Sequence, residues 1–282
     1  MDSQLSIVLV SYNSGGVIDR CLGDLIRSQA FPIIVVDNNS SDNTPAYLRD
    51  SYPNLTVIDA GYNIGYGGAA NIGIKACQTP FVLLLNPDVM VNAEEITRFF
   101  KIAYNHRNAN DELDWTVFAP ATGAKSFKKQ GILEVSNVLG AVMLFNMQKL
   151  NSIGLFDERY FMFYEEKDLC LRITKAGEKI LLDSDILFKH DKGTSSGSSN
   201  KMYYLKQWHV AWSSMYYFEK HFPNPQKKAR SLLARYRFKA YFSLKKQARI
   251  KFKARLNGLK EYLSGRDCRN EDRTPKGFDR VA

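Results

Sequence analysis

The apolar run Phe81–Leu85 constrains the fold more than any other feature, because it ends abruptly at the polar turn Asn86-Pro-Asp88. Five consecutive apolar residues predict a strand that is covered on both faces, as in the centre of an α/β sheet. Ligands of such sheets bind beyond the carboxyl ends of the strands, so we expect Asp88 at a ligand site. The alternative is an ordinary turn, since Asn-Pro and Pro-Asp are favourable turn residues.

Strand-like and helix-like patterns alternate along the chain. Such alternation predicts an α/β fold with a mostly parallel central sheet, flanking helices and right-handed crossovers. Thr44 and Pro45 are interpreted as the N-cap and the first residue of a helix. The predicted strands cover residues 5–10, 33–36, 55–58, 81–85, 137–145, 180–182 and 186–188, and the predicted helices cover residues 17–28, 44–51, 68–77, 92–107, 165–176 and 203–222. Residues 111–131 are polar and match neither pattern.

Basic residues are concentrated near the end of the chain. From Lys201 onwards there are 21 Lys+Arg against 6 Asp+Glu, whereas residues 1–200 carry a net charge of −5. This asymmetry predicts a domain for chemistry over residues 1–225 and a basic helical extension over residues 226–282 that is loose at its end.

The predicted location of the protein is the cytoplasm. The first strand follows Asp2 without a basic leader, and no apolar segment approaches the ~20 residues of a membrane-spanning helix. Four cysteines are scattered along the chain without paired spacing. They are therefore interpreted as reduced thiols rather than as zinc ligands or disulfides.

A second carboxylate, Asp37, closes the predicted strand 33–36 and precedes a polar run. Its side chain is also expected at the ligand edge, where it can accept a hydrogen bond from a pyrimidine N–H or a ribose hydroxyl. The competing interpretation is a helix cap, because Asn, Ser and Asp are good capping residues. Both interpretations hold if Ser41 or Asp42 serves the turn and Asp37 binds the ligand.

Glycines open the predicted helix 68–77, and Gly65 and Gly68 are among them. Glycines at a helix N-terminus let backbone N–H groups approach a phosphate. The segment is not the dinucleotide fingerprint, which would follow the first strand. Close packing of the helix on a strand is the alternative, although Asn63 and Asn71 on either side favour a ligand.

Three acids, Glu165, Glu166 and Asp168, fall in the first turn of another predicted helix. They complement the helix dipole, but neighbouring acids beside aromatic residues also suit a carboxylate that acts as a general base. A lone histidine is more often structural than a ligand, but His190 follows a strand and opens the Gly/Ser loop 190–199, which favours a metal ligand.

In their order along residues 5–196, these motifs resemble family 2 glycosyltransferases, specifically the rhamnosyltransferase-like branch. The matching motifs are Tyr12-Asn13, Asp37 to Asp42, Asn63 to Asn71, Asn86 to Asp88, Phe156 to Glu158, and Glu165 to Arg172. The resemblance implies a GT-A fold, a dTDP- or UDP-linked sugar donor and an inverting transfer of rhamnose or another hexose.

The resemblance also implies a donor and metal site. Asp37 would bind the base, Asp88 would bind a Mg²⁺ or Mn²⁺ that holds the donor diphosphate, and His190 would be a further metal ligand. Asn86 replaces the first aspartate of the family's D-x-D motif. The other matched positions would line the donor site: Tyr12, Asn13, Asn63, Gly65, Gly68 and Asn71.

The acidic motif would supply the general base. The family's usual Glu-Asp-x-Asp reads Glu165-Glu166-x-Asp168 here, so Glu166 takes the place of the expected aspartate. Glu165 remains an alternative. A single displacement at the anomeric carbon requires only one carboxylate base, unlike the acid–base pair of a glycoside hydrolase.

Residues 226–260 hold 13 Lys+Arg and no Asp or Glu, and apolar residues recur from Ala229 to Leu263 at helical spacing. A basic amphipathic segment with aromatic residues predicts that residues 226–263 bind an anionic membrane surface. The alternative is that the apolar stripe packs on the enzyme. Nucleic acid is disfavoured as a partner, because the front domain contains no recognition module.

We therefore expect a metal-dependent, inverting glycosyltransferase of bacterial surface-polysaccharide assembly, such as lipopolysaccharide or O-antigen synthesis. It would be peripheral on the inner face of the cytoplasmic membrane, with a growing glycan or a polyprenyl-diphosphate-linked acceptor. Two alternatives remain. One is a nucleotidyltransferase, whose basic phosphate-binding motif is not seen near the N-terminus, and the other is a polyanion-binding protein whose front domain has lost catalysis.

Overall fold

The computed structural model describes residues 4–122, 130–191, 199–270 and 276. The chain divides into two compact units. The first comprises Met1–Gly61, Ala69–Phe156 and Glu166–Ser196, and the second comprises Tyr62–Gly68, Asp157–Glu165 and Gly197–Ala282. The predicted domain boundary after residue 225 stays a prediction. Most of the predicted loop 190–199 and the last residues of the predicted extension lie outside the described residues.

The first unit is built on one sheet. Its strands are β1 (Leu5–Ser11), β2 (Ile33–Asp37), β3 (Thr56–Asp59), β4 (Phe81–Leu85), β5 (Val89–Met90), β6 (Trp115–Thr122), β7 (Ile132–Glu134), β8 (Val142–Asn146) and β9 (Lys179–His190). Their order is β3-β2-β1-β4-β8-β6-β9-β5, with β7 paired to β9. β1 to β4 are parallel, and Ser11 lies opposite Asp37. The carboxyl ends of β1, β2 and β4 therefore share one edge, as predicted.

The rest of the sheet is mixed. β8 is antiparallel to both β4 and β6, whereas β6 and β9 are parallel. β5 and β7 each pair antiparallel with β9. The predicted α/β architecture is confirmed, and its parallel part is the half that carries the predicted ligand edge.

Helices cover both faces of this sheet. They are α1 (Gly15–Ser28), α2 (Thr44–Ser51), α3 (Tyr66–Ala76), α4 (Ala93–Asn105), α5 (Met147–Ile153) and α6 (Glu165–Lys175), of which α3 and α6 begin in the second unit. Leu22 of α1 and Phe99 of α4 join the same core as Ile7 of β1. On the other face, a Cβ at Gly73 of α3 would collide with Val8. Because strand side chains alternate between faces, a sheet buried on both sides explains the uninterrupted apolar runs.

One strand was not predicted, and two predicted strands are a single strand. The unassigned region 111–131 contains β6, which is almost entirely buried although its sequence lacks an alternating pattern and includes Pro120. The segments 180–182 and 186–188 are one strand, β9, rather than two. A shift in the β6–β9 register absorbs the polar residues between them, since Pro120 pairs with Asp183 and Ala121 pairs with Leu187. A bulge of this kind looks like a turn in the sequence.

Two helix predictions also need correction. The N-cap of α2 is Asn43, not Thr44. The Thr44 hydroxyl instead accepts a hydrogen bond from the Gly15 N–H at the start of α1, at 3.0 Å. The basic stretch 226–260 is helical, but residues 243–245 interrupt it. Thr44 is therefore the first residue of α2, and its hydroxyl links α2 to the start of α1.

The second unit contains α7 (Asn200–His221), α8 (Pro225–Phe242) and α9 (Lys246–Leu263). Trp208 and Trp212 of α7 form a core with Phe161 and Ala254. A Cβ at Gly258 of α9 would collide with the Trp208 carbonyl, so α7 and α9 pack with their backbones close together. Within the described part of the chain, the helices are too short or too polar to cross a membrane.

Candidate functional site

Asp88 and His190 meet at the carboxyl edge of the sheet in the first unit. The turn after β4 carries Asp88, and β9 ends at His190, which pairs with Val89 of β5. The Asp191 N–H donates to the Asp88 carbonyl at 2.9 Å, so the two chain segments are held together. Asp88 Oδ1 lies 3.0 Å from His190 Nε2, and the Asp88 carboxylate is almost fully buried. The structure thus joins two residues that are 102 positions apart.

The donor atoms at this edge fit a divalent cation. Two donors that each lie about 2.1 Å from one octahedral ion are about 3.0 Å apart, which matches the Asp88–His190 distance. Asn86 Oδ1 is buried and has no hydrogen-bond partner among the described residues. The described chain offers no cluster of three or more Asp, Glu, His or Cys side chains for a metal. An ion here would therefore rely on Asn86, phosphate oxygens or water for its remaining ligands, as Mg²⁺ commonly does.

Asp37 lies at the end of β2, on the same edge, and is 1 % exposed. Its Oδ2 accepts the Ser40 N–H at 2.9 Å, and its Oδ1 accepts the Ser40 hydroxyl at 2.6 Å. β1 lies between β2 and β4, so two strand spacings, or about 10 Å, separate the ends of β2 and β4. Asp37 thus shapes the 37–40 turn, and its predicted contact with a base stays a prediction.

Asn13 ties the loop after β1 to the loop after β2. Its Oδ1 accepts from the Ser41 N–H at 2.8 Å, and its own N–H donates to the Ser40 hydroxyl at 2.8 Å. Asn13 adopts a left-handed φ of 51°, which asparagine tolerates better than most residues. The Tyr12 N–H donates to the Ser14 hydroxyl at 3.3 Å. Asn13 therefore orders the loop that follows Asp37.

The glycine segment of the second unit has a demonstrable packing role. Gly65 has a φ of 84°, and a Cβ there would collide with the carbonyl of Phe161. The Tyr66 N–H donates to that same carbonyl at 3.2 Å, and the Asn63 side chain accepts the Gly65 N–H at 3.1 Å. A Cβ at Gly68 would press on the Ile64 side chain. This part of the motif thus supports the packing interpretation, and a phosphate contact stays a prediction.

Asn71, in the first unit, is engaged by the backbone of Phe156. The Asn71 amide nitrogen donates to the Phe156 carbonyl at 2.9 Å, and its oxygen accepts the Phe156 N–H at 3.0 Å. Its side chain is buried. This geometry favours a positioning role for Asn71 over the predicted contact with the donor.

Of the three acids in the first turn of α6, Asp168 is structural. It is fully buried and accepts from Arg172 Nε at 2.8 Å. The Arg172 guanidinium also donates to the carbonyls of residues 153, 154 and 155, at 2.6 to 3.1 Å. The pair therefore fixes α6 to the turn after α5. Asp168 is thus unsuited to take a proton from a substrate.

The other two acids differ in burial. Glu165 is 7 % exposed, whereas Glu166 is partly exposed. Phe163 and Tyr164, which precede them, both have left-handed φ values, 67° and 73°. Bulky residues rarely adopt this conformation, which costs roughly 1–3 kcal/mol each, and such strain is concentrated at functional sites. The partly exposed Glu166 fits a base that must reach an acceptor hydroxyl.

Comparison with known proteins supports the predicted family. Residues 6–128, which run from β1 through β6, match the family described as Glycosyl transferase family 2. One relative is N-acetylglucosaminyl-diphospho-decaprenol L-rhamnosyltransferase from Mycobacterium tuberculosis, which is 27 % identical over 242 residues. The aligned part is 70 % of this chain and 79 % of the relative. The chain is therefore similar to family 2 glycosyltransferases, and residues 6–128 carry the family match.

Two further proteins are similar to this chain. The rhamnosyltransferase WbbL of Escherichia coli is 23 % identical over 62 % of this chain and 78 % of its own length. A solved structure of a mannosyltransferase from Pyrobaculum calidifontis, in complex with GDP-Man and Mn²⁺, has a TM-score of 0.61 at 15 % identity and covers 94 % of this chain and 88 % of that one. The chain therefore has the predicted GT-A fold and is similar to two rhamnosyltransferases.

Two residues organise the second unit: Arg269, which was not predicted, and Asp157, which lies in a matched motif but was not assigned a role. Arg269 donates to the carbonyls of Ile64 and Glu158, at 3.0 and 2.6 Å. Asp157 accepts from the Tyr216 hydroxyl and from Lys220, both at 2.7 Å. Burial opposes ionisation of Asp157, but these hydrogen bonds hold its pKa below the ordinary value. Arg269 gives no sequence signal, because its partners are more than 100 residues away.

A cavity of about 690 Å³ in the first unit lies at the wrong end of the strands for the donor. It is lined by residues at the amino ends of the parallel strands, such as Ser6, Ile33 and Thr56. Cys77 also lines it, and burial raises the pKa of its thiol to about 11. A neutral thiol is a poor nucleophile, so Cys77 does not give this cavity a reactive cysteine.

Proposed function

We propose that this enzyme transfers rhamnose or another hexose from a nucleoside diphosphate sugar to a lipid-linked or growing surface-polysaccharide acceptor, with inversion at the anomeric carbon. The Asp88–His190 pair at the carboxyl edge of the sheet is the observation that carries this proposal. Asp37 lies on the same edge and is the candidate contact for the nucleobase. An edge that offers a carboxylate at two strand ends suits a ligand with a base at one end and a diphosphate at the other.

The names of similar proteins support the classes of donor and acceptor. The Mycobacterium tuberculosis relative is named for transfer of L-rhamnose to N-acetylglucosaminyl-diphospho-decaprenol. By analogy, we propose a dTDP- or UDP-linked donor and an acceptor on a polyprenyl diphosphate. Such an acceptor places the enzyme in polysaccharide synthesis, including lipopolysaccharide and O-antigen assembly.

We also propose that the enzyme uses Mn²⁺ or Mg²⁺. Asp88 and His190 would hold the ion, and the neutral Asn86 oxygen would be available as a third ligand. A divalent ion at this position would neutralise the charge that develops on the departing nucleoside diphosphate. The structurally similar mannosyltransferase was solved with Mn²⁺, which supports a divalent ion of this kind.

Glu166 would carry the proton chemistry. Its carboxylate accepts the proton of the acceptor hydroxyl as that oxygen forms a bond to the anomeric carbon. The bond from the anomeric carbon to the diphosphate oxygen breaks in the same displacement, and the electron pair leaves with the nucleoside diphosphate. Because attack and departure occur on opposite faces, one displacement inverts the configuration. Glu165 is the second candidate for the same role.

The proposed location is the inner face of the cytoplasmic membrane. Residues 226–260 carry 13 Lys+Arg and no Asp or Glu, and this charge complements anionic lipid headgroups. A peripheral enzyme at this surface would meet a lipid-linked acceptor directly. Nucleic acid is not a proposed partner.

Thermal unfolding of the purified enzyme with a panel of nucleotides tests the donor site. We expect dTDP or UDP to raise the melting temperature only when Mn²⁺ or Mg²⁺ is present. A ligand at 100 times its Kd stabilises a protein by about 2.7 kcal/mol, which corresponds to a shift of several degrees. Asp88→Asn should abolish this shift, whereas the matched change Asp111→Asn in an exposed loop should preserve it.

Turnover separates the alternative functions. If Asp88→Asn stops sugar transfer but still binds anionic vesicles, the enzyme proposal stands. If no nucleotide stabilises the protein and wild type and Asp88→Asn behave alike in every assay, the polyanion-binding alternative replaces it. Release of pyrophosphate from a nucleoside triphosphate would instead support the nucleotidyltransferase alternative.

A further inference from the structure

The apolar stripe of the basic extension is largely occupied by packing in the second unit. Tyr236 of α8 and Leu259 of α9 are buried, in a core that they share with Met215 of α7. The ring of Tyr236 lies 6.2 Å from that of Phe252, across the two helices. The predicted stripe therefore stabilises α7–α9, and most of it is not available to a membrane.

One part of the predicted stripe, Tyr241, Phe242 and Leu244, is instead exposed where α8 ends and α9 begins, beside Phe238. We define the aromatic tip as the following four side chains, with exposed fractions of 62 %, 81 %, 61 % and 99 %: Phe238, Tyr241, Phe242 and Leu244. The ring of Phe242 lies 4.6 Å from that of Phe238 and 4.9 Å from that of Tyr241. The three rings are exposed and in contact, and together with the exposed Leu244 they form an apolar surface that is unfavourable in water.

Exposed cations surround the aromatic tip. Arg237 precedes it on α8, and Lys245, Lys246 and Arg249 follow Leu244. No Asp or Glu occurs between residues 226 and 260 to neutralise them. Burial, together with the charges of Arg255, Lys239 and Arg235, lowers the pKa of Lys251 nearby. The end of α8 and the start of α9 thus combine exposed apolar side chains with exposed positive charge.

We propose that the aromatic tip inserts into the headgroup–acyl boundary of an anionic bilayer, while the surrounding Lys and Arg side chains bind lipid phosphates. Aromatic residues favour this depth, and basic residues at the surface add electrostatic attraction to anionic lipid. A second copy of the chain is a poorer occupant, because pairing the same patch on two copies would bring like charges together. This inference rests on the membrane partner proposed above. Its test measures lipid contact and does not require sugar transfer.

Tryptophan fluorescence with brominated lipids tests insertion of the tip in the full chain. The three native tryptophans are all buried, so they give a nearly constant background. Phe242→Trp should be quenched and blue-shifted by brominated vesicles that contain phosphatidylglycerol. Phe222→Trp is the matched control, since Phe222 caps the end of α7, before α8 begins, and is 43 % exposed. Equal quenching of both variants, or quenching of neither, would overturn the proposal.

Vesicle sedimentation provides the second measurement. Phe242→Ser/Leu244→Ser should lower partitioning onto anionic vesicles by about tenfold or more, since two apolar side chains no longer leave water. The matched variant Phe222→Ser/Leu263→Ser changes the same residue types at the ends of α7 and α9, away from the tip, and should bind like wild type. Circular dichroism confirms that both variants fold. Equal partitioning of the tip variant and wild type would refute insertion.

Two further results distinguish the sources of binding. Added salt and neutral phosphatidylcholine vesicles should both weaken binding of the wild-type chain, because the cations require lipid phosphates and a surface potential. Concentration-dependent dimerisation that the tip substitutions abolish, without any lipid quenching, would assign the tip to a second copy instead and overturn the proposal. If lipid binding fails while nucleotides still stabilise the enzyme, the tip and the membrane location are lost, and the proposed sugar transfer stands.

Discussion

Glu165 and Glu166 show how neighbouring residues of one type receive different environments. Glu165 is buried, and the strained residues Phe163 and Tyr164 lead into it. Glu166, one position later, is partly exposed. A general base must come within hydrogen-bonding distance of an acceptor hydroxyl, so access matters before basicity. Burial therefore favours Glu166, which the family pattern alone does not decide.

Substitution of each glutamate tests this assignment. Glu166→Gln keeps the size of the side chain but removes the proton acceptor, so kcat should fall by about 10²–10⁴-fold while the KM for the donor changes little. Glu165→Gln is the matched control and should retain most of the activity. Steady-state kinetics with an acceptor analogue provide the measurement. Full activity of Glu166→Gln with loss in Glu165→Gln would reverse the assignment.

At the residue scale, the sequence predicts edge positions better than side-chain partners. Asp88 and His190 were both expected at a metal site, and the structure places them 3.0 Å apart. Asn71 carried an equally suggestive signal, yet the Phe156 backbone occupies its amide. Strand ends are predictable because apolar runs are local, whereas a hydrogen bond to a residue 85 positions away is not.

At the scale of secondary-structure elements, α6 is fixed through Arg172. This one side chain neutralises the buried Asp168 and donates to three carbonyls of the turn after α5. A planar guanidinium with five donors can make these contacts together, whereas a lysine ammonium cannot reach them all. The position and direction of α6, which carries Glu166, therefore depend on arginine at this site.

Arg172→Lys should lower the free energy of unfolding by about 3–5 kcal/mol, because the buried Asp168 loses its partner and the carbonyls lose their donors. Arg27→Lys is the matched control, because Arg27 pairs with Asp24 on the surface and its replacement should change little. Urea unfolding followed by circular dichroism measures both. If the two variants are equally stable, Arg172 does not hold α6 in place.

Elements marked by a local apolar run were predictable from the sequence, whereas elements defined by pairing with distant strands were not. The apolar runs of β1, β2 and β4 identify the parallel half of the sheet directly. β9 was predicted as two strands because Asp183 and its polar neighbours resemble a turn, and only the pairing with β6 shows a bulge. The break between α8 and α9 was also missed, since the basic pattern continues through residues 243–245.

At the scale of the whole molecule, stability depends on groups that the catalytic motifs do not reveal. His209 in the second unit is fully buried, with its ring 4.9 Å from Phe161 and 4.8 Å from Trp208. Burial and then the positive charge of Arg269 lower the pKa of His209 to about 3, and a hydrogen bond with the backbone of Lys276 offsets this only in part. The native chain therefore keeps His209 neutral at pH values where an unfolded chain protonates it.

Because the native pKa of His209 lies below the ordinary value of 6.5, its contribution to stability is complete above pH 6.5 and decreases as the pH falls towards 3. Within this window the unfolded chain binds one more proton, which costs the native state about 1.4 kcal/mol per pH unit. His209→Phe and His209→Leu both remove the titration, so each should flatten the pH dependence of the free energy of unfolding by this amount. Urea unfolding of the three proteins between pH 7 and pH 5 gives the slopes, and each variant is compared with its own value at pH 7, which cancels any packing defect. A wild-type slope equal to those of both variants would mean that His209 is protonated in the folded chain.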